Sequence, residues 1–137
     1  MGAMIIDFKI IPHRKQRYDT VGDYWSDGKK QLNIRVSKMG DEKHETLVLL
    51  HEVIELFMAR AAGIKLKDID RFDMKYEESR KCFTTADCGC EHLAEPGDDP
   101  HCPYGKQHRT ATACEKLIAD HLGINWQEYE KAIENLS

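Results

Sequence analysis

The chain has 137 residues, a formal net charge of -4, and 41% hydrophobic against 32% charged residues. That length fits a single domain, the composition is that of a packed chain rather than a disordered one, and no apolar run approaches the roughly 20 residues of a membrane-spanning helix. The mild acidity argues against a nucleic-acid binder, which ordinarily carries a basic excess.

Taken in chain order, Met4 to Ile11 reads as a strand stopped by Pro12. The basic group that follows and overlaps it (Lys9, His13, Arg14, Lys15, Arg17) reads as solvated surface. Tyr18 to Trp25 offers a short strand, and Ser26-Asp27-Gly28 is a turn signal. In Gln31 to Ser37, Leu32, Ile34 and Val36 alternate with polar residues, the pattern of a half-buried strand. Together these predict a small antiparallel sheet. Asp41 is placed to cap a helix running to about Ala62, which Gly63 stops. A second helix is expected over about Leu66 to Lys81, with Ile69, Phe72 and Tyr76 on one stripe. Residues 83 to 104 hold three of the four prolines, several acids and no Lys or Arg, so they read as an insertion too long to be a connector. A third helix is expected over about Lys106 to Leu122. A last one starts at Asn125, with Trp126, Tyr129, Ile133 and Leu136 as its buried stripe. The fold class predicted is α+β, one domain over 1–137, a small N-terminal antiparallel sheet packed on about four helices.

The chemistry concentrates in Leu47-Val-Leu-Leu-His51-Glu52-Val-Ile-Glu55-Leu-Phe-Met58. At helical spacing His51 and Glu55 stack one turn apart, with Glu52 beside them. No Lys or Arg occurs between Lys43 and Arg60, unlike an ordinary solvated helix face. An imidazole and a carboxylate at this spacing can address one ion, and both donors suit zinc. A plain amphipathic wet face is the alternative. His44 lies on the same face, but about 10 Å along the axis at roughly 1.5 Å per residue, too far to be a ligand. On the third helix, His108 shares a face with Thr112, Glu115 and Ala119. It reads either as a further ligand or as an exposed helix-start histidine, and Glu115 as a residue that orients a ligand or is one. His121 and Cys114 read as packing on the apolar side of that helix.

His51-Glu52-Val53-Ile54-Glu55 resembles the zincin metallopeptidase helix, HExxH, with the second His replaced by Glu. The chain is also similar, over roughly Tyr18 to Leu136, to small phage proteins with a helix of this type. In those proteins a Glu-Pro-Gly-Asp-Asp-Pro stretch, here Glu95 to Pro100, precedes a helical His, here His108. The resemblance implies a zincin-like fold and one zinc held by His51, Glu55 and His108, with Glu52 as general base toward a metal-bound water. It implies a peptide or protein substrate. A carboxylate at position 55 donates more charge to the ion than an imidazole, so the water would be less acidic than in the family. With no basic n-region followed by an apolar stretch at the N-terminus, a cytoplasmic location is expected, in the host cell if the chain is phage-encoded.

Three further readings stand beside this one. Cys88, Cys90, His92 and Cys102, with Cys82 and His101 near, could form a second, structural zinc site, although Cys-x-Cys is not the usual knuckle spacing. The alternative there is an acidic loop with free thiols, and residues 95–103 suit a rim over the motif helix. Glu52-x-x-Glu55 set against Asp70-x-x-Asp73 looks like the magnesium site of helical nucleotide pyrophosphohydrolases, although the N-terminal strands do not fit. A non-catalytic phage or host-interaction protein, stabilised by its metal, is the third.

Overall fold

A computed structural model describes residues 4–28, 30–80 and 96–136. In chain order it contains strands β1 (Ile5–Ile11), β2 (Gly22–Ser26) and β3 (Gln31–Ser37), then helices α1 (Glu42–Ala61), α2 (Leu66–Arg80), α3 (Gly105–His121) and α4 (Trp126–Glu134). The class is α+β, as composition and periodicity predict.

The sheet is mixed rather than antiparallel. Its order is β1-β3-β2, with β2 antiparallel to β3 and β1 parallel to it. The hairpin at Asp27-Gly28 is legible in the sequence, because Gly28 adopts a φ of +84° that side-chain-bearing residues avoid. The error in the expected sheet comes from the first connection. Pro12 ends β1, a single 3-10 turn (His13–Lys15) follows, and the chain enters β2 only at Gly22. A link of that length lets β3 insert between β1 and β2, and nothing in the local pattern of any one strand records it.

The pleat of β3 points Leu32, Ile34 and Val36 at the helices, where Ile34 and Val36 are fully buried. Leu32 and Ile34, with Tyr24, Leu56, Ala59 and Ile69, build one apolar cluster beneath α1 and α2. Val36, Leu47, Val48, Ala119 and Tyr129 build a second beneath α3 and α4. Helix α1 touches both clusters, which is why apolar residues run around most of it. Asp41 caps α1 by accepting from the backbone N–H of Lys43 and His44. Helices α1 and α3 end alike. Gly63 and Gly123 take positive φ, and the next residue (Ile64, Ile124) donates its N–H back to a carbonyl five residues earlier.

Helix α3 buries a different face from the one its apolar residues mark. His108, Ala111, Glu115 and Ala119 are buried, while Leu117 is 72% exposed and His121 is also exposed. His121 therefore does not pack, contrary to its sequence pattern, and Cys114 is only half-buried. The polar residues of α3 turn inward because they face the polar residues of α1.

Candidate metal centre

Helix α1 delivers His51 and Glu55 from successive turns, and α3 delivers His108 from its first turn. All three side chains are buried, at 8%, 4% and 7% relative exposure. This excludes the wet-face reading of α1 and the exposed helix-start reading of His108. Their inward atoms form a triangle: His51 Nε2 to Glu55 Oε2 is 3.0 Å, His108 Nδ1 to Glu55 Oε2 is 2.9 Å, and His51 Nε2 to His108 Nδ1 is 3.3 Å. Ligands 2.0–2.1 Å from a tetrahedral ion stand about 3.3–3.4 Å apart, so the triangle needs only a few tenths of an ångström of expansion to hold one. These three residues can hold a metal ion.

Each ligand is also held from behind. Glu115 Oε1 lies 2.7 Å from His51 Nδ1. Nδ1 donates to this carboxylate, which leaves Nε2 as the nitrogen that faces the triangle and would meet an ion. Tyr24 donates its O–H to Glu55 Oε1 at 2.7 Å, which reserves Oε2 for the centre. His108 Nε2 faces Asp98 Oδ1 at 3.7 Å, too long for a hydrogen bond. A carboxylate or hydroxyl behind each ligand is the outer arrangement metal sites use to fix ligand orientation.

The electrostatics follow from burial and these contacts. Burial pulls the His51 pKa down, but the bonds to Glu115 and Glu55 outweigh it and push it up to about 11. Burial pushes Glu55 up, but hydrogen bonds from His108 and His51 hold it below the usual carboxylate range. The triangle thus holds a proton on His51 at neutral pH, and a metal ion must displace it.

A cavity of about 630 Å³ opens beside the triangle, lined among others by Tyr18, Glu52, Asp73, Tyr104 and Thr112. Glu52 contributes to this wall without joining the triangle. Its carboxylate lies against the backbone of β2 at Gly22, where a Cβ would come within 2.6 Å of Glu52 Oε1. Only glycine leaves that space. Asp73 accepts from Tyr104 at 2.5 Å and from Tyr18 at 3.2 Å. Burial is the main reason its pKa is pushed up, to about 7; the tyrosine bonds oppose this and the charge on Glu55 adds to it.

The turn at Pro96–Asp98 lies against the start of α3 and borders the cavity. The sequence suggests a rim over α1 here; the described part packs on α2 and α3 and borders the cavity that α1 also lines. At Gly97 an added Cβ would overlap the His108 imidazole, so this glycine sets how deep the ring can sit. No periodic pattern in the sequence marks Gly22, Gly97, Tyr24 or Asp98 as a site residue. Close approach leaves no periodic signal, and Tyr24 reads as an ordinary strand aromatic. The Pro-Gly-Asp at 96–98, followed by a helical histidine, was the one clue to Gly97 and Asp98.

Other expected residues fall elsewhere. The His44 ring packs on Tyr129 at 5.4 Å between centroids, away from the triangle. Asp70 is ion-paired with Arg17 at 2.6 Å, so it does not face Glu52 and Glu55 as a magnesium pair would. Arg17 also bonds Asp23 and stacks over Trp25, so this part of the basic group is structural. Cys102 is half-buried against the first apolar cluster, and burial pushes its thiol up to about 12. Cys82, Cys88, Cys90 and His92 lie outside the described residues. Comparisons with family models, curated proteins and solved structures find no match to this chain.

Proposed function

We propose that the protein is a metal-dependent hydrolase, with zinc on His51, Glu55 and His108 and with a peptide or amide as substrate. The observation that carries this reading is the triangle itself, oriented by Glu115, beside a cavity that also contains a carboxylate outside the triangle. Two imidazoles and one carboxylate are a donor set that zinc takes in hydrolytic sites, where a fourth position stays open. When bound, the ion would supply an acidified water and a Lewis acid for a carbonyl oxygen. Glu52 would take the proton from that water and pass it to the leaving nitrogen. Tyr24 and Glu115 would hold the ligands in place while the cavity orients the scissile bond. Location in the cytoplasm remains part of this proposal. No helix among the described residues is long and apolar enough to cross a membrane.

The test is elemental analysis of the purified protein and of His51→Ala, followed by assay of the zinc-loaded protein on a mixed fluorogenic peptide library. About one zinc per chain, absent from His51→Ala, together with cleavage lost by a factor of about 10²–10⁴ in Glu52→Gln at unchanged zinc content, is the expected result. Bound iron instead of zinc would change the chemistry, since the same three donors also suit iron(II). Full metal content with no cleavage in either protein would favour the non-catalytic, metal-stabilised reading.

A further inference from the structure

Strand β1 is an edge strand that the fold leaves bare among the described residues. Ile5, Ile6, Phe8 and Ile10 are exposed at 57%, 44%, 40% and 44%. Ile6, Phe8 and Ile10 register beside Leu32, Ile34 and Val36, the face of β3 that packs on the helices. The helices cover β2 and β3 and end short of this third row. Natural sheets protect such edges with short strands, prolines or several charges, and a seven-residue strand this apolar is an exception.

The hydrogen-bond pattern says which backbone groups of β1 face away from β3. The Ile5 N–H donates to the Lys30 carbonyl and the Ile11 carbonyl accepts from Lys38 N–H, so the odd residues of β1 turn their backbone toward β3. Ile6, Phe8 and Ile10 therefore turn theirs outward. The sequence of the strand, Ile-Ile-Asp-Phe-Lys-Ile-Ile, has a mirror about Phe8 in which apolar matches apolar and Asp7 matches Lys9.

We propose that two copies of this chain pair through β1, antiparallel about a two-fold axis at Phe8, to form one six-stranded sheet. In that register Phe8 meets Phe8 and Ile6 meets Ile10 as hydrogen-bonded pairs, six backbone bonds in all. Asp7 and Lys9 of one copy stand directly opposite Lys9 and Asp7 of the other, in the closer, non-hydrogen-bonded positions. Shifting the axis by one residue keeps the ladder but places Asp7 on Asp7, or Lys9 on Lys9, which is unfavourable. The charges thus select one register of a self-pairing edge. Pro12, which has no N–H to donate, ends the ladder at one side. The exposed apolar surface is roughly 400 Å² per copy, below the roughly 800 Å² per partner of a standard interface, so the dimer is a weak one.

Sedimentation velocity over a concentration series tests this on the intact protein, with dissociation expected at about 10–100 µM. Asp7→Lys and Lys9→Asp should each weaken self-association at least tenfold, because every cross-strand charge pair becomes repulsive. An equimolar mixture of the two variants should dimerise again, since one strand is then basic and the other acidic at both positions. Arg35, which pairs with Asp7 at 2.8 Å, stays anchored in Asp7→Lys by its bonds to the backbone carbonyls of Asp7 and Ile34. Circular dichroism checks that both variants fold. A wild-type protein that stays monomeric through the series would overturn the proposal. So would self-association untouched by either variant, or folded variants whose mixture remains monomeric. An extended peptide or another protein as the occupant of this edge would give the first of these results.

Discussion

Replacing Glu115 by Gln should weaken zinc binding by about 10–100-fold, or roughly 1.4–2.7 kcal/mol, although Glu115 does not belong to the ligand triangle. The magnitude follows from two opposed effects at the 2.7 Å contact with His51 Nδ1. The carboxylate makes the imidazole a better donor to the ion, and its loss lowers affinity. The same contact helps push the His51 pKa up to about 11, so that a proton competes with the metal at neutral pH. With one proton displaced, wild-type affinity should rise about tenfold per pH unit through the neutral range. In Glu115→Gln the amide oxygen can still accept from Nδ1 but carries no charge, so the proton is held less tightly and that slope should flatten. The deficit of the variant should therefore be largest near pH 8–9 and shrink toward pH 6. Competition titration with a chromogenic zinc chelator at four pH values measures this. Equal affinity for zinc in the two proteins, or a deficit that grows toward low pH, would refute the reasoning.

Three further outcomes are expected. Gly97→Ala drives a methyl into the His108 ring, so zinc affinity should fall at least about tenfold while the melting temperature of the metal-free protein changes by only a few degrees, as calorimetry would show. The Asp73 carboxyl has a pKa near 7 when folded against 3.8 ordinarily, so the folded protein holds a proton that the unfolded chain has released. Its stabilising contribution is present at pH 4 and below and is lost as pH rises toward 7, by up to about 4 kcal/mol; urea unfolding of Asp73→Asn should show a correspondingly flatter stability profile over that range. Ile34 is fully buried at the centre of the sheet, and Ile34→Ala should cost about 2–5 kcal/mol in urea unfolding, with a shift in midpoint and no change in slope.

Much of the site was legible in the chain because helices convert spacing into geometry. The spacing of four from His51 to Glu55 places both on one face of α1 whatever else the protein does, and the missing cations mark that face as unusual. The helix boundaries followed from Asp41, Gly63 and Gly123, whose capping roles are local. The alternation in β3 announced which side would be buried. His108 was more ambiguous, since a histidine near a helix start reads equally as surface or ligand.

Tertiary structure decided what local pattern cannot encode. Pairing partners of a strand depend on where a ten-residue link carries the chain, so the parallel β1-β3 pairing was hidden although every strand was visible. The rotation of α3 is set by what α1 presents to it; apolar periodicity marks Cys114 and His121 for the interior, but Glu115 and His108 take it by bonding to His51 and Glu55. Gly22 and Gly97 matter only because a side chain from a distant element approaches their Cα atoms. The sequence by itself determined the elements and the shared face of His51 and Glu55, because those rest on contacts between residues near in the chain. The place of His108 in the triangle, the groups behind it and the bare edge of β1 arise from contacts between residues far apart in the chain, and only the packed fold creates them.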